Sequence, residues 1–130
     1  MALAIVNSIS ARHAVLADAA ASGAMAAFFI AGSGLVAQLT GLPAGFLFWV
    51  GIAFLPWTAA LVLIGRAEPP AAGAVEAVIA GNALWVVASV AVLALGVFDL
   101  NALGVAFVVA QAVAVAVLAE LQFLGVRRAL

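Results

Sequence analysis

Three long stretches of this chain, each of membrane-spanning length, carry no charged residue: Ala19 to Gly65, Ala77 to Phe98 and Leu100 to Ala119. A bilayer core of about 30 Å is crossed by roughly 20 apolar residues of helix. The first stretch is long enough for two such crossings, and each of the others for one. Lipid offers no partner for backbone N–H and C=O groups, so each crossing has to satisfy its own backbone as a helix. The expected fold is all-α: an antiparallel, up-down bundle of four transmembrane helices, forming a single membrane domain over residues 1-130.

Composition closes off most other classes. Hydrophobic residues make up 70% of the chain and charged residues only 7%, against about a quarter charged in soluble domains. With a formal net charge of -1 there is no basic stripe to follow a phosphate backbone, so no nucleic-acid partner is expected. The lack of cysteine removes thiolate nucleophiles and iron–sulfur ligation. The single histidine, His13, precedes the first crossing, so one chain cannot assemble a bis-histidine haem or a carboxylate–histidine di-metal centre. The hydroxyls Ser22, Ser33, Thr58 and Ser89 have no base at helical spacing, and Asp18, Glu76 and Glu120 stand singly on three spans. No catalytic residue, metal or cofactor is expected, and the chain reads as a non-enzyme.

The crossings fall at about 19-39, 44-65, 74-97 and 102-126, by the span length a bilayer needs. Thr40-Gly41-Leu42-Pro43 supplies a hairpin turn, Glu68-Pro69-Pro70 opposes helix continuation, and Asp99 with Asn101 marks the third turn. In residues 1-18, Leu3, Val6, Ile9 and Leu16 fall near one helical face, which suits a short interfacial helix; a longer, tilted first helix is the alternative. Met1 to Ile9 has no positive charge, so no cleaved secretory signal is expected.

The four arginines fix the expected orientation. Arg12, Arg66, Arg127 and Arg128 share one side, and the other side has no lysine or arginine. The positive-inside rule then puts both termini in the cytoplasm and disfavours a dimer inserted both ways. Asp18, Arg66, Glu76, Glu120, Arg127 and Arg128 are expected to form a charged cytoplasmic rim. Glu120 would face Arg127 or Arg128 two turns on, and only Asp99 would lie outside.

Helices in lipid associate through close backbone approach and interhelical hydrogen bonds, so small and polar residues mark inward faces. Heptad spacing links Gly51, Thr58 and Gly65 on span two, Asn82, Ser89 and Gly96 on span three, and Gly104 and Gln111 on span four. Of these, Gly51, Thr58, Gly65, Gly96 and Gly104 are expected at helix contacts. Depth along antiparallel spans pairs Ser89 with Gln111 and Thr58 with Asn82. Asn82, Trp85, Ser89 and Gln111 are the candidate ligand-binding set, an aromatic wall among hydrogen-bonding groups. Pro56 is expected to bend span two, and Phe46, Phe48 and Trp49 to form part of an interfacial aromatic belt. Ala20, Ala27 and Gly34 on span one offer a contact for a second copy or for the inner bundle.

The run Gly81-Asn82-Ala83-Leu84-Trp85-Val86-Val87-Ala88-Ser89, followed by Gln111 and the ending Glu120-Leu121-Gln122-Phe123-Leu124-Gly125-Val126-Arg127-Arg128, resembles small uncharacterised bacterial integral membrane proteins with four predicted spans. That resemblance implies a bacterial inner membrane and the same four-helix fold, and brings no catalytic residues. The expected function is a scaffold or accessory subunit of a membrane complex, with the lipid bilayer and either further copies or a larger assembly as partners. The alternative is a binder or carrier of a small hydrophobic or weakly polar molecule.

Overall fold

The computed structural model describes residues 10-129, with the side chains of residues 128 and 129 left out. It contains four helices, α1 (Ala11–Thr40), α2 (Ala44–Gly65), α3 (Ala72–Leu95) and α4 (Ala102–Ala129), and no strand among the described residues. All four are long and apolar enough to cross a membrane. Short connections set neighbours antiparallel, so the protein is a multi-pass, four-helix membrane bundle.

The first helix begins eight residues before the expected crossing, and residues 11-18 are its opening turns. Ser10 caps it: Ser10 Oγ accepts from the His13 backbone N–H at 3.2 Å, which serves one of the orphan donors of a helix start. Over the described residues 11-18 the longer first helix, given as the alternative, is what the structure has, with no separate interfacial helix there. Residues 1-9 lie outside the described residues.

The ends of α1 and α4 are tied to one another. Thr40 Oγ1 donates to the Val36 carbonyl at 2.7 Å and accepts from Leu42 N–H at 3.2 Å, while Gly41 turns the chain at φ 87°. Asn101 then accepts from Gly104 N–H at 2.8 Å and donates to the Leu39 carbonyl, also at 2.8 Å. One amide thus caps α4 and fastens it to the last turn of α1.

Small residues carry the close approaches, as expected for packing in lipid. A side chain at Gly51 would stand 2.9 Å from Ile30 Cγ1 and 3.1 Å from the Ala26 carbonyl oxygen, and one at Gly65 2.6 Å from Leu16. At Gly104 it would strike the Thr40 carbonyl. Thr58 meets α1 with its methyl group, whose carbon would lie 3.3 Å from a Cβ on Gly23. Gly96 departs from expectation. It is exposed, nothing lies within 4 Å of its would-be Cβ, and at φ 60° it ends α3 with its N–H turned back to the last helical carbonyls. Its place in the heptad pattern is incidental to a helix stop that favours glycine.

Helix α2 runs unbroken through Pro56, whose ring is exposed. The non-helical backbone lies instead in α1, at Gly32 with φ −114° and ψ 17°. A missing side chain there removes both helix propensity and steric restraint. The break in helical backbone dihedrals thus falls in span one, at Gly32, while α2 stays helical through Pro56.

Packing is uneven around the bundle. Helix α1 lies against α2 and α4, and α3 lies against α4, whereas α2 and α3 barely touch. Two apolar clusters close the ends. Val15, Ala19, Leu61, Val75, Val78 and Val126 form one at the arginine-bearing end, and Phe29, Val36, Leu42 and Leu47 form the other. Between them the splay of α2 from α3 leaves space.

Candidate functional site

That space is a partly open cavity of about 440 Å³, lined by all four helices. Its walls are mostly aromatic and aliphatic, including Phe29, Phe54, Trp57 and Phe107. The Phe29 and Phe107 rings meet at a tilt with centroids 6.0 Å apart, and Phe54 meets Trp85 edge-on at 5.2 Å. The loose α2–α3 seam is bridged by aromatic rings rather than by backbone contact. Trp57 lies over Gly81, where a Cβ would come within 2.8 Å of the indole.

Two polar groups are set into this apolar wall. The first is at mid-depth. Trp85 Nε1 donates to Gln111 Oε1 at 2.7 Å, and Gln111 Nε2 donates to Ser89 Oγ at 3.0 Å and to the Val108 carbonyl at 2.8 Å. Ser89 Oγ in turn donates to the Trp85 carbonyl at 2.8 Å. The expected Ser89–Gln111 pair is present, and it holds the Trp85 ring at a fixed angle to the cavity. A buried indole N–H without an acceptor would cost free energy, so this chain of bonds accounts for a glutamine in the middle of an apolar helix.

The second group is centred on Asp18, and here the structure corrects the sequence reading. The charge pattern places Asp18 in a charged rim; it is instead only 3% exposed, faces the cavity and has only neutral partners among the described residues. Ser22 Oγ donates to Asp18 Oδ1 at 3.0 Å, while Asn82 Nδ2 and Gln122 Nε2 donate to Oδ2 at 2.7 and 2.9 Å. Asn82 Nδ2 also donates to Gln122 Oε1 at 3.0 Å, so the two amides and the carboxylate close a ring of hydrogen bonds. The carboxylate decides which way both amides point, because an acceptor-only group must meet their nitrogens. The reason for the correction lies in helix length: with α1 beginning at Ala11, Asp18 sits about 10 Å along it at 1.5 Å per residue.

The expected Thr58–Asn82 pair does not form. Asn82 spends its N–H groups on Asp18 and Gln122, and buried Thr58 Oγ1 has no partner. Thr58 turns its methyl group toward Gly23 of α1, and α2 barely touches α3, so its side chain belongs to the α1–α2 contact and not to the face that carries Asn82.

Of the expected rim, Arg66, Glu76, Glu120 and Arg127 are exposed, and Arg127 stands over the Phe123 ring at 6.0 Å. The Arg128 side chain lies outside the described residues. Trp49 is 67% exposed with Phe48 edge-on at 5.4 Å, in keeping with an aromatic belt. Phe46, expected in that belt, is half-buried, packs on Phe98 at 4.8 Å and lines the cavity. Ala20, Ala27 and Gly34 are exposed on the outer face of α1. No group of three or more His, Cys, Asp or Glu residues suited to a metal occurs among the described residues.

No family model, curated protein or solved structure matches this chain. The site must therefore be read from its own chemistry. All four candidate ligand-binding residues, Asn82, Trp85, Ser89 and Gln111, line the same cavity. Sequence reasoning missed Gln122, which is fully buried, and the inward role of Asp18. Both carried a signal: Ser22 follows Asp18 by one helical turn, and Gln122 follows Gln111 by three turns on the same face of α4.

Proposed function

We propose that this protein binds or carries a small hydrophobic or weakly polar molecule within its bundle. The observation that supports this reading is the cavity of about 440 Å³, in the size range of small-molecule sites, which holds the whole Asn82, Trp85, Ser89 and Gln111 set. A bundle built only to associate would have every reason to fill such a space, because unfilled volume forfeits packing energy. The α2–α3 seam, closed by rings, gives a membrane-dissolved molecule a lateral route that needs side-chain rotation and no separation of tightly packed helices.

The arginines support an orientation with both termini cytoplasmic, and the resemblance to small bacterial membrane proteins is what favours a bacterial inner membrane. Arg12, Arg66 and Arg127 lie at one end of the helices, whereas the opposite turns carry only Asp99, the asymmetry of the positive-inside rule. The Asp18 group then lies nearer the cytoplasmic face. The second reading, a scaffold or accessory subunit, draws on the exposed Ala20, Ala27 and Gly34 stripe of α1, which suits close helix contact with another chain.

Purification in mild detergent, followed by organic extraction and mass analysis, separates the two. A lipid-soluble compound at near-unit stoichiometry, excluded when Ala88→Phe fills the cavity wall, supports the binder. A reproducible protein partner with no bound molecule overturns it in favour of the scaffold.

A further inference from the structure

Resting on the binder reading, and replacing its weakly polar group with a charged one, we propose that the molecule taken up is a lipophilic monocation, an amine or quaternary ammonium carrying an apolar group, with Asp18 as its counter-charge. Asp18 lines the cavity, is 3% exposed and has no cationic partner among the described residues. An ionised carboxylate in a membrane interior is costly unless compensated. Ser22, Asn82 and Gln122 compensate it in part, through three donors on its two oxygens. A carboxylate offers about four acceptor positions, and the fourth, on Oδ1, takes no donor from the described residues. The protein thus holds a negative charge at the edge of an apolar chamber and sets no positive one beside it there.

The rest of the wall selects the kind of cation. A metal ion requires several oxygen ligands, whereas the groups around Asp18 turn N–H and O–H donors toward it. The neighbouring walls are aromatic. Trp57 lies over Gly81, beside Asn82, and Trp85 stands one turn beyond Asn82 on the same face of α3. An organic cation is attracted to aromatic rings as well as to the carboxylate, and its apolar part is matched by Phe29, Phe54 and Phe107 of the same cavity.

The test compares benzyltrimethylammonium with its uncharged carbon isostere, neopentylbenzene, on the full chain in mild detergent. Each affinity is corrected for partition into protein-free micelles and measured on the wild type and on Asp18→Asn. The Asp18→Asn variant can keep the network: the carbonyl of the introduced amide takes both amide donors, and its NH2 donates to Ser22. The expected result is a wild-type preference for the cation of about tenfold or more, falling to near one in Asp18→Asn, with the isostere unaffected. Equal affinities of cation and isostere for the wild type overturn the proposal while leaving the pocket intact. That comparison holds even if the variant does not fold. Absence of binding by both probes overturns the binder reading itself, and this proposal with it.

Discussion

Asn82 Nδ2 lies 2.7 Å from Asp18 Oδ2, although 64 residues separate the two in the chain. This bond joins α1 to α3, which otherwise scarcely touch, and Gln122 of α4 completes the ring at 2.9 Å from the same oxygen. Three of the four helices are thereby pinned at one level, about a third of the way into the bundle at 1.5 Å per residue. Apolar packing in lipid is weakly directional, so such a ring fixes rotation and register that leucine and valine would leave free.

Removal of the carboxylate should therefore cost more than its own bonds. Asp18→Leu leaves the Ser22, Asn82 and Gln122 donors facing a hydrocarbon group, at about 1 to 3 kcal/mol for each buried donor left unpaired. Thermal unfolding in mild detergent should show Asp18→Leu destabilised by about 3 kcal/mol or more, and Asp18→Asn much closer to wild type. Equal stability of the two variants would mean that the ring does not organise the fold.

Asn82 and Gln122 should behave as a unit. Each donates to Asp18 and they bond one another at 3.0 Å, so either single alanine substitution already breaks the ring. In a double-mutant cycle of Asn82→Ala and Gln122→Ala, the coupling energy should be about 1 kcal/mol or more. An isolated interhelical bond in a membrane averages about 0.6 kcal/mol. Additive losses would show two independent contacts and no network.

The contrast between what could and could not be read from the chain has a physical origin. Helix number, order and the bounds of α2 follow from one-dimensional quantities, the spacing of charges and the positions of proline and glycine. The Ser89–Gln111 pair was also legible, because depth along antiparallel helices is nearly linear in residue number. Asp18 was not, because charge alone placed it at the membrane boundary, and only the distant amides of α3 and α4 make a deeper position tolerable. Likewise Thr58 sits at the depth of Asn82 but on a face turned to Gly23, a rotational fact that linear depth does not contain. The looseness of the α2–α3 seam, and so the cavity, belongs to packing among all four helices.

Gly104 should be among the least replaceable residues. A Cβ there runs into the Thr40 carbonyl, the same group that accepts the Asn101 N–H at 3.2 Å. Gly104→Ala must push α4 from α1 and loosen the turn that Asn101 fastens, at about 1 to 3 kcal/mol as for other overpacked sites. Gly34→Ala is the control: it is exposed with nothing within 4 Å, and should be neutral or stabilising by up to about 1 kcal/mol through helix propensity. Unfolding of the two variants in the same detergent checks the ordering, and a Gly104→Ala protein as stable as Gly34→Ala would contradict the close approach of α1 and α4.

The Trp85–Gln111 bond gives the cavity a direct optical reporter. Of the three tryptophans, Trp49 faces outward and Trp57 packs over Gly81, so Trp49→Phe with Trp57→Phe leaves emission from Trp85 alone. Its indole N–H donates to Gln111 Oε1 at 2.7 Å, and a hydrogen-bonded indole emits to the red of one in a purely apolar setting. In that background Gln111→Leu should shift the emission to the blue and free the ring to rotate, which time-resolved anisotropy would register as faster local motion. It also removes the amide from the mid-depth wall and strips Ser89 and the Trp85 indole N–H of their partner. A molecule held by a hydrogen bond to the Gln111 amide should lose roughly tenfold in affinity, corresponding to about 1.4 kcal/mol, whereas a pure hydrocarbon of the same shape should bind as before. Unchanged emission in Gln111→Leu would place the indole N–H on some other acceptor and remove Gln111 from the site.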